Sequence, residues 1–128
     1  MIYVDSSVTL AKLFTEDRNA PDSFWGLDLV SSRLLEYEVW NRLHARKMAR
    51  ALSERTRFLM GLVRFVELSP VVLARALEPF PGGVRTLDAL HLASVDHLRM
   101  LGQTIEVASF NRRLVAAARD LGFAIYDF

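Results

Sequence analysis

Cysteine is absent from the 128 residues. That excludes a disulfide framework, thiolate zinc and a cysteine nucleophile, and it suits a reducing cytosol. Lysine is almost absent as well: of sixteen basic residues only Lys12 and Lys47 are not arginine. Charge of one sign is also lacking, since sixteen basic residues face fifteen acidic ones for a net charge of +1. Overall charge therefore does not mark a nucleic-acid binder. No run approaches the ~20 apolar residues of a membrane span. The opening residues carry Asp5 and no basic segment, so they do not read as a signal peptide. There is no internal repeat, low-complexity tract or linker. The expectation is one cytoplasmic α/β domain over 1–128, without a membrane association.

What is present is apolar residue in quantity: 52% of the chain is hydrophobic. That supports a substantial core and argues against disorder. The arginine excess has two readings, planar bidentate contacts to phosphate or a compositional bias of the coding sequence.

The hydrophobic pattern alternates short apolar runs with amphipathic stretches. Residues 1–4 read as a buried strand ending at Asp5, with Ser6 or Ser7 capping a helix to Thr15. Residues 19–23 form a loop, and 27–32 a second strand. A helix is expected over 33–50, another from Ser53 to about Leu62, and a strand over 65–68. Ser69 and Pro70 open a helix that stops before Pro79. After the Pro81-Gly82-Gly83 break, Thr86 caps a long helix over 87–101 closed by Gly102. A strand over 105–108 precedes a helix over 112–121 closed by Gly122, and 124–126 is a last strand. Short apolar strands between helices imply a parallel sheet covered on both faces. Ligands of such folds sit beyond the carboxyl ends of the strands. Asp5 and Asn111 both fall there.

Three acids stand out. Asp5 follows a buried strand, where it is either a helix cap or a ligand. Asp88 lies in the first turn of a long helix, a position that the helix dipole favours without any function. Glu38 is embedded in an apolar stretch, Tyr37, Val39 and Trp40; its plain reading is a surface pair with Arg42 four residues on. Together, carboxylates without cysteine or histidine ligands favour a hard cation, Mg²⁺ or Mn²⁺ rather than Zn²⁺. Such an ion activates water and neutralises charge on a phosphodiester.

At these residues the chain resembles the PIN-domain ribonucleases of the toxin type. "YVDSSV" (3–8) resembles their opening strand and first acid. In "SSRLLEYEVWNRLHAR" (31–46) a serine, Ser32, precedes the second acid, Glu38, by six residues as in that family. "RTLDALHLASV" (85–95) is the most specific match, with Asp88 as third acid, and "SFNRRLVAAARDLGF" (109–123) resembles the final strand and helix. The resemblance spans essentially the whole chain. It implies a PIN-like α/β domain, a short parallel sheet flanked by helices. It further implies a Mg²⁺- or Mn²⁺-dependent endoribonuclease that hydrolyses RNA with a metal-activated water. Asp5, Glu38 and Asp88 would be metal-site acids. A toxin–antitoxin role, a small antitoxin partner covering the acidic site and a homodimer are also implied.

The chain departs from the pattern at Asn111, which stands where the family has a fourth acid. A single ion is then favoured over two, and a catalytically weak RNA-binding or regulatory module is the alternative. Ser6, Arg85, Thr86 and Arg112 are the candidate substrate contacts; capping and solvated charge are their plainer readings. Arg113 flanks the same edge, and Arg42, Arg46 and Arg50 form a stripe on the expected 33–50 helix. His91, three residues after Asp88, reads as a packed, hydrogen-bonded histidine. Trp25 and Trp40 read as packing or interface residues. A phosphatase would want an acid at position 7, which is Ser7, and a receiver domain would want a late lysine; neither pattern fits.

Overall fold

A computed structural model describes residues 1–128. Five parallel strands, β1 (Ile2–Val4), β2 (Leu29–Ser32), β3 (Val63–Val66), β4 (Glu106–Ala108) and β5 (Ala124–Ile125), form one sheet in the order β3-β2-β1-β4-β5. Six helices connect them: α1 (Ser6–Leu13), α2 (Leu34–Ala45), α3 (Ala49–Met60), α4 (Pro70–Ala76), α5 (Thr86–Met100) and α6 (Arg112–Asp120). The chain is thus an α/β fold, and no helix is long and apolar enough to cross a membrane.

Strand alternation feeds two cores. Ile2, Val4, Leu29 and Ala108 enter one, packed with Val8, Leu35, Val39 and Leu43 of α1 and α2. Tyr3, Val30 and Val107 enter the other, packed with Leu92, Val95 and Leu114 of α5 and α6. Both faces of the central strands are therefore apolar, as a sheet covered on both sides requires.

Sheet order and register place the candidate site. β1 is central, and Val4 pairs with Ala108. The next residues, Asp5 and Ser109, consequently emerge side by side at the carboxyl edge. β2 runs beside β1 with Tyr3 opposite Val30, which brings Ser32 and the start of α2 to the same edge.

Several boundaries differ from the sequence reading. The stretch expected as one helix over 33–50 breaks after Ala45, and the next helix begins at Ala49 rather than Ser53. Lys47 sits at φ 56°, while Met48 N–H donates to Leu43 O and Lys47 N–H to His44 O. This is a Schellman ending with lysine in the left-handed seat that glycine usually takes. Arg50 therefore leaves the Arg42–Arg46 row and starts α3. Residues 22–26 form a 3₁₀ turn within what reads as a loop. Asp5, not Ser6 or Ser7, caps α1, and Thr86 is the first helical residue of α5 rather than its cap.

Candidate active site

Asp5 is 3% exposed, deep enough that its carboxylate must be compensated. Its Oδ2 accepts from Ser7 Oγ at 2.7 Å, Ser109 Oγ at 2.8 Å and Ser7 N–H at 3.4 Å. Ser7 Oγ in turn accepts from Phe110 N–H at 2.9 Å. Three donors fix one oxygen; Oδ1 has none and lies 3.8 Å from His91 Nε2. Neighbouring serines thus aim one carboxylate oxygen away from the strand.

Glu38 is half-buried on α2 beside the apolar row Leu35, Val39 and Leu43. It makes no ion pair with Arg42. Instead His91 Nε2 meets its Oε1 at 2.5 Å. His91 is 1% exposed, and its Nδ1 lies 2.7 Å from the Tyr3 hydroxyl, which accepts from Ser32 N–H at 3.1 Å. With Tyr3 engaging Nδ1, Nε2 carries the proton donated to Glu38 in either charge state of the ring. Burial by itself pulls the imidazole pKa down; the Glu38 hydrogen bond and the charges of Asp5, Glu38 and Asp88 more than offset this and raise it. Burial also holds the Tyr3 phenol far above its ordinary range, so it remains a neutral partner. The chain Ser32–Tyr3–His91–Glu38 ties a helix residue to the central strand.

Asp88 lies one turn before His91 on α5. Its pKa is raised, first by burial and then by the negative charge of Asp5, partly offset by His91 and reinforced by Glu38. Asn111 Nδ2 donates to its Oδ1 at 3.4 Å. Asn111 Oδ1 faces the other way and caps α6, accepting from Arg113 and Leu114 N–H at 3.1 and 3.4 Å. The cap requires an oxygen there, which settles the amide orientation. Asn111 therefore presents its NH₂ group, not an oxygen, to Asp88.

Asp5, Glu38, Asp88 and Asn111 line one cavity of about 780 Å³ at the carboxyl edge of the sheet. Ser6, Arg85 and Thr86 line it too, as do Arg42 and Arg46, the latter stacked 4.1 Å from the Phe14 ring. Arg112 does not; it lines the neighbouring cavity. Ser6 makes no side-chain hydrogen bond and Arg85 no ion pair. Trp25 is buried against Phe24, and Trp40 is half-buried beneath Arg57.

The sequence reading missed Ser7, Ser109 and Tyr3 as members of this network, and it assigned His91 no partner. Ser7 had a local signal, a hydroxyl two residues after an N-cap aspartate. Ser109 and Tyr3 had none, because both depend on the β1–β4 and β1–β2 register.

The donor set fits a hard divalent cation. It offers carboxylate oxygens and no thiolate, and its one buried imidazole is engaged at both nitrogens. Asp88 is raised first by burial and then by the charges of Asp5 and Glu38, and a bound cation relieves that repulsion. No three acidic or imidazole groups already surround a single point; the carboxylates ring the cavity. A hard ion that retains several waters and takes only one or two carboxylates suits such a site.

A family model described as "PIN domain" matches residues 2–120. The chain is also 28% identical over 130 residues to "Ribonuclease VapC47" of Mycobacterium tuberculosis (strain CDC 1551 / Oshkosh), an alignment covering 96% of this chain and 93% of that protein.

Proposed function

The chain belongs to the PIN-domain family, and from that premise we propose that it is a divalent-metal-dependent endoribonuclease, the toxin of a toxin–antitoxin pair. The observation that carries the reading is the single cavity lined by Asp5, Glu38 and Asp88 at the carboxyl edge of a parallel sheet. The similarity to a named ribonuclease supports it.

Asp5, through its free Oδ1, and Asp88 are the residues that would hold Mg²⁺ or Mn²⁺. Bound there, the ion supplies Lewis-acid charge neutralisation at the phosphate and a more acidic water. Glu38 has Oε1 committed to His91, which leaves Oε2 to accept a hydrogen bond from the attacking water and orient it. Arg85, with Arg42 and Arg46 across the cavity, offers guanidinium groups to the RNA backbone. Ser6 and Thr86 are further hydroxyls at the rim. Asn111 contributes an N–H to Asp88 and a cap to α6, and brings no negative charge, so one ion is favoured over two. The reading as a catalytically silent RNA-binding module is not favoured, because three carboxylates remain in the cavity.

The site of action is the cytoplasm. The partner is a small antitoxin that covers the carboxylates, and the chain forms a homodimer. Light scattering of the purified protein with and without the antitoxin reports both.

Titrating Mg²⁺ or Mn²⁺ into the protein and its Asp5→Asn variant with a single-stranded RNA tests the reading. Cleavage is expected only with metal and only with Asp5 intact. Cleavage without metal, or equal rates in the two proteins, contradicts it.

A further inference from the structure

Beside the acidic cavity lies a second, of about 900 Å³, in which none of the three acids takes part. Phe110 lines both. Ser109, whose hydroxyl is bonded to Asp5, is part of the second wall. The two cavities therefore meet at the turn between β4 and α6, and a strand lying across Phe110 passes from one into the other.

The second cavity has a different chemistry. Arg18, Arg112 and Arg119 line it, and none of them is in an ion pair, whereas Arg33, Arg64, Arg75 and Arg99 are all neutralised by carboxylates. Asp17 and Asp127 also reach it, so guanidinium groups outnumber carboxylates. Between the charges lies an aromatic surface. The Phe110 and Phe128 rings are 4.9 Å apart, those of Tyr126 and Phe128 5.0 Å, and the Arg18 guanidinium lies 4.7 Å from the Phe110 ring. Unneutralised guanidinium groups interleaved with flat rings suit single-stranded nucleic acid, whose phosphates take paired N–H donors and whose bases stack. Phe110 and Tyr126 pack partly against the core, but Phe128 is 41% exposed, and an acidic peptide would use the charges without that open ring surface.

We propose that this cavity is an RNA subsite that holds the nucleotides flanking the phosphate presented to Asp5 and Asp88. The proposal rests on the ribonuclease reading above. It requires at least one unpaired nucleotide beside the scissile bond, because a base locked in a duplex cannot reach the rings.

The test uses fluorescence anisotropy with a labelled eight-nucleotide single-stranded RNA on the full chain, in the Asp5→Asn background so that nothing is cleaved. Arg112→Ala with Arg119→Ala is expected to weaken binding by roughly tenfold or more and to flatten the log–log salt slope by about 1.4, as for two lost phosphate contacts on a single strand. Phe110→Leu is expected to weaken binding by about fivefold with the salt slope unchanged. Arg55→Ala, which removes one positive charge from α3 away from both cavities, should change neither. Cleavage by the parent chain with Mn²⁺ is measured alongside. Affinity loss without any cleavage keeps the subsite and removes the ribonuclease reading. Cleavage with unchanged affinity in every variant removes the subsite alone. RNA affinity unchanged while a co-expressed antitoxin is released would make the cavity a protein-docking surface and also overturns the proposal.

Discussion

Asp88 and Asp96 lie about two turns apart on the same helix, α5, and the protein treats them in opposite ways. Asp96 is 8% exposed. It accepts from Arg75 Nε at 2.8 Å and from Arg99 Nη2 at 2.7 Å. Burial alone would raise its pKa, yet the two guanidinium groups together hold it below the ordinary carboxylate range. Asp88 is buried less completely and has a raised pKa, because burial and the charge of Asp5 outweigh what His91 and Arg85 return. An acid whose task is to fasten α4 to α5 receives its cations from the chain. An acid at the carboxyl edge of the sheet is left short of positive charge, which is the condition for taking a cation from solution.

Neutralising each acid in turn should separate their roles in activity. Asp88→Asn is expected to lower RNA cleavage by at least about 100-fold, since each tenfold corresponds to about 1.4 kcal/mol of lost transition-state stabilisation. Asp96→Asn should retain cleavage at temperatures where it is folded. Comparable losses from both, in a steady-state assay with saturating Mn²⁺, would erase the distinction.

Stability should rank the two the other way. Asp96→Asn leaves Arg75 and Arg99 without their shared partner and is expected to cost about 1–3 kcal/mol in urea unfolding. Asp88→Asn removes repulsion, so the metal-free variant should match or exceed the parent chain by less than about 1 kcal/mol, a figure reduced by solvent screening of a partly exposed group.

Asn111→Asp sharpens the contrast at the site itself. It keeps the α6 cap but sets a fourth carboxylate against Asp88. The expected outcome is a lower melting temperature without metal and a larger rise on adding Mn²⁺, both read by scanning calorimetry.

The smallest effect is in the pH dependence of metal-free stability. The depressed pKa of Asp96 means that its contribution is complete above the unfolded carboxylate value and is lost as pH falls through the lower folded value. The raised pKa of Asp88 means that its protonated form is favoured, so stability declines as pH rises from the unfolded value to the higher folded one. Unfolding measured on both sides of the unfolded carboxylate value, about pH 4, should therefore show Asp96→Asn losing an upward step below it and Asp88→Asn losing a downward step above it.

Much of this architecture is legible in the chain itself, for identifiable reasons. β1 is a short apolar run that ends at Asp5, β4 buries Val107 and Ala108 before Ser109, and Gly102 and Gly122 occupy left-handed seats at φ 87° and 86° that close α5 and α6. The end of α2 is built the same way but with Lys47 in the seat, so no glycine marks it and the break is invisible to periodicity. Thr15 closes α1 at φ 49° by the same device. In the cavity, Asp5 and Asp88 stand out because each sits at an element boundary, and Glu38 because it interrupts an apolar face. Their supports do not stand out. The serine pair on Asp5 depends on Val4 lying opposite Ala108, and the hold on Glu38 depends on a histidine from α5 reaching α2 beneath Tyr3. Register and helix packing create those contacts, and neither is a local property of the residues involved.

In the proposed mechanism Asp5 and Asp88, with Glu38 held beside them by His91, form the seat of a divalent ion. Anomalous scattering from crystals grown with Mn²⁺ should show one strong peak in the acidic cavity, bonded to Asp5 Oδ1 and to the Asp88 carboxylate, and none at Asp96. A cavity without a peak at saturating Mn²⁺, or an ion held only elsewhere on the chain, would contradict it.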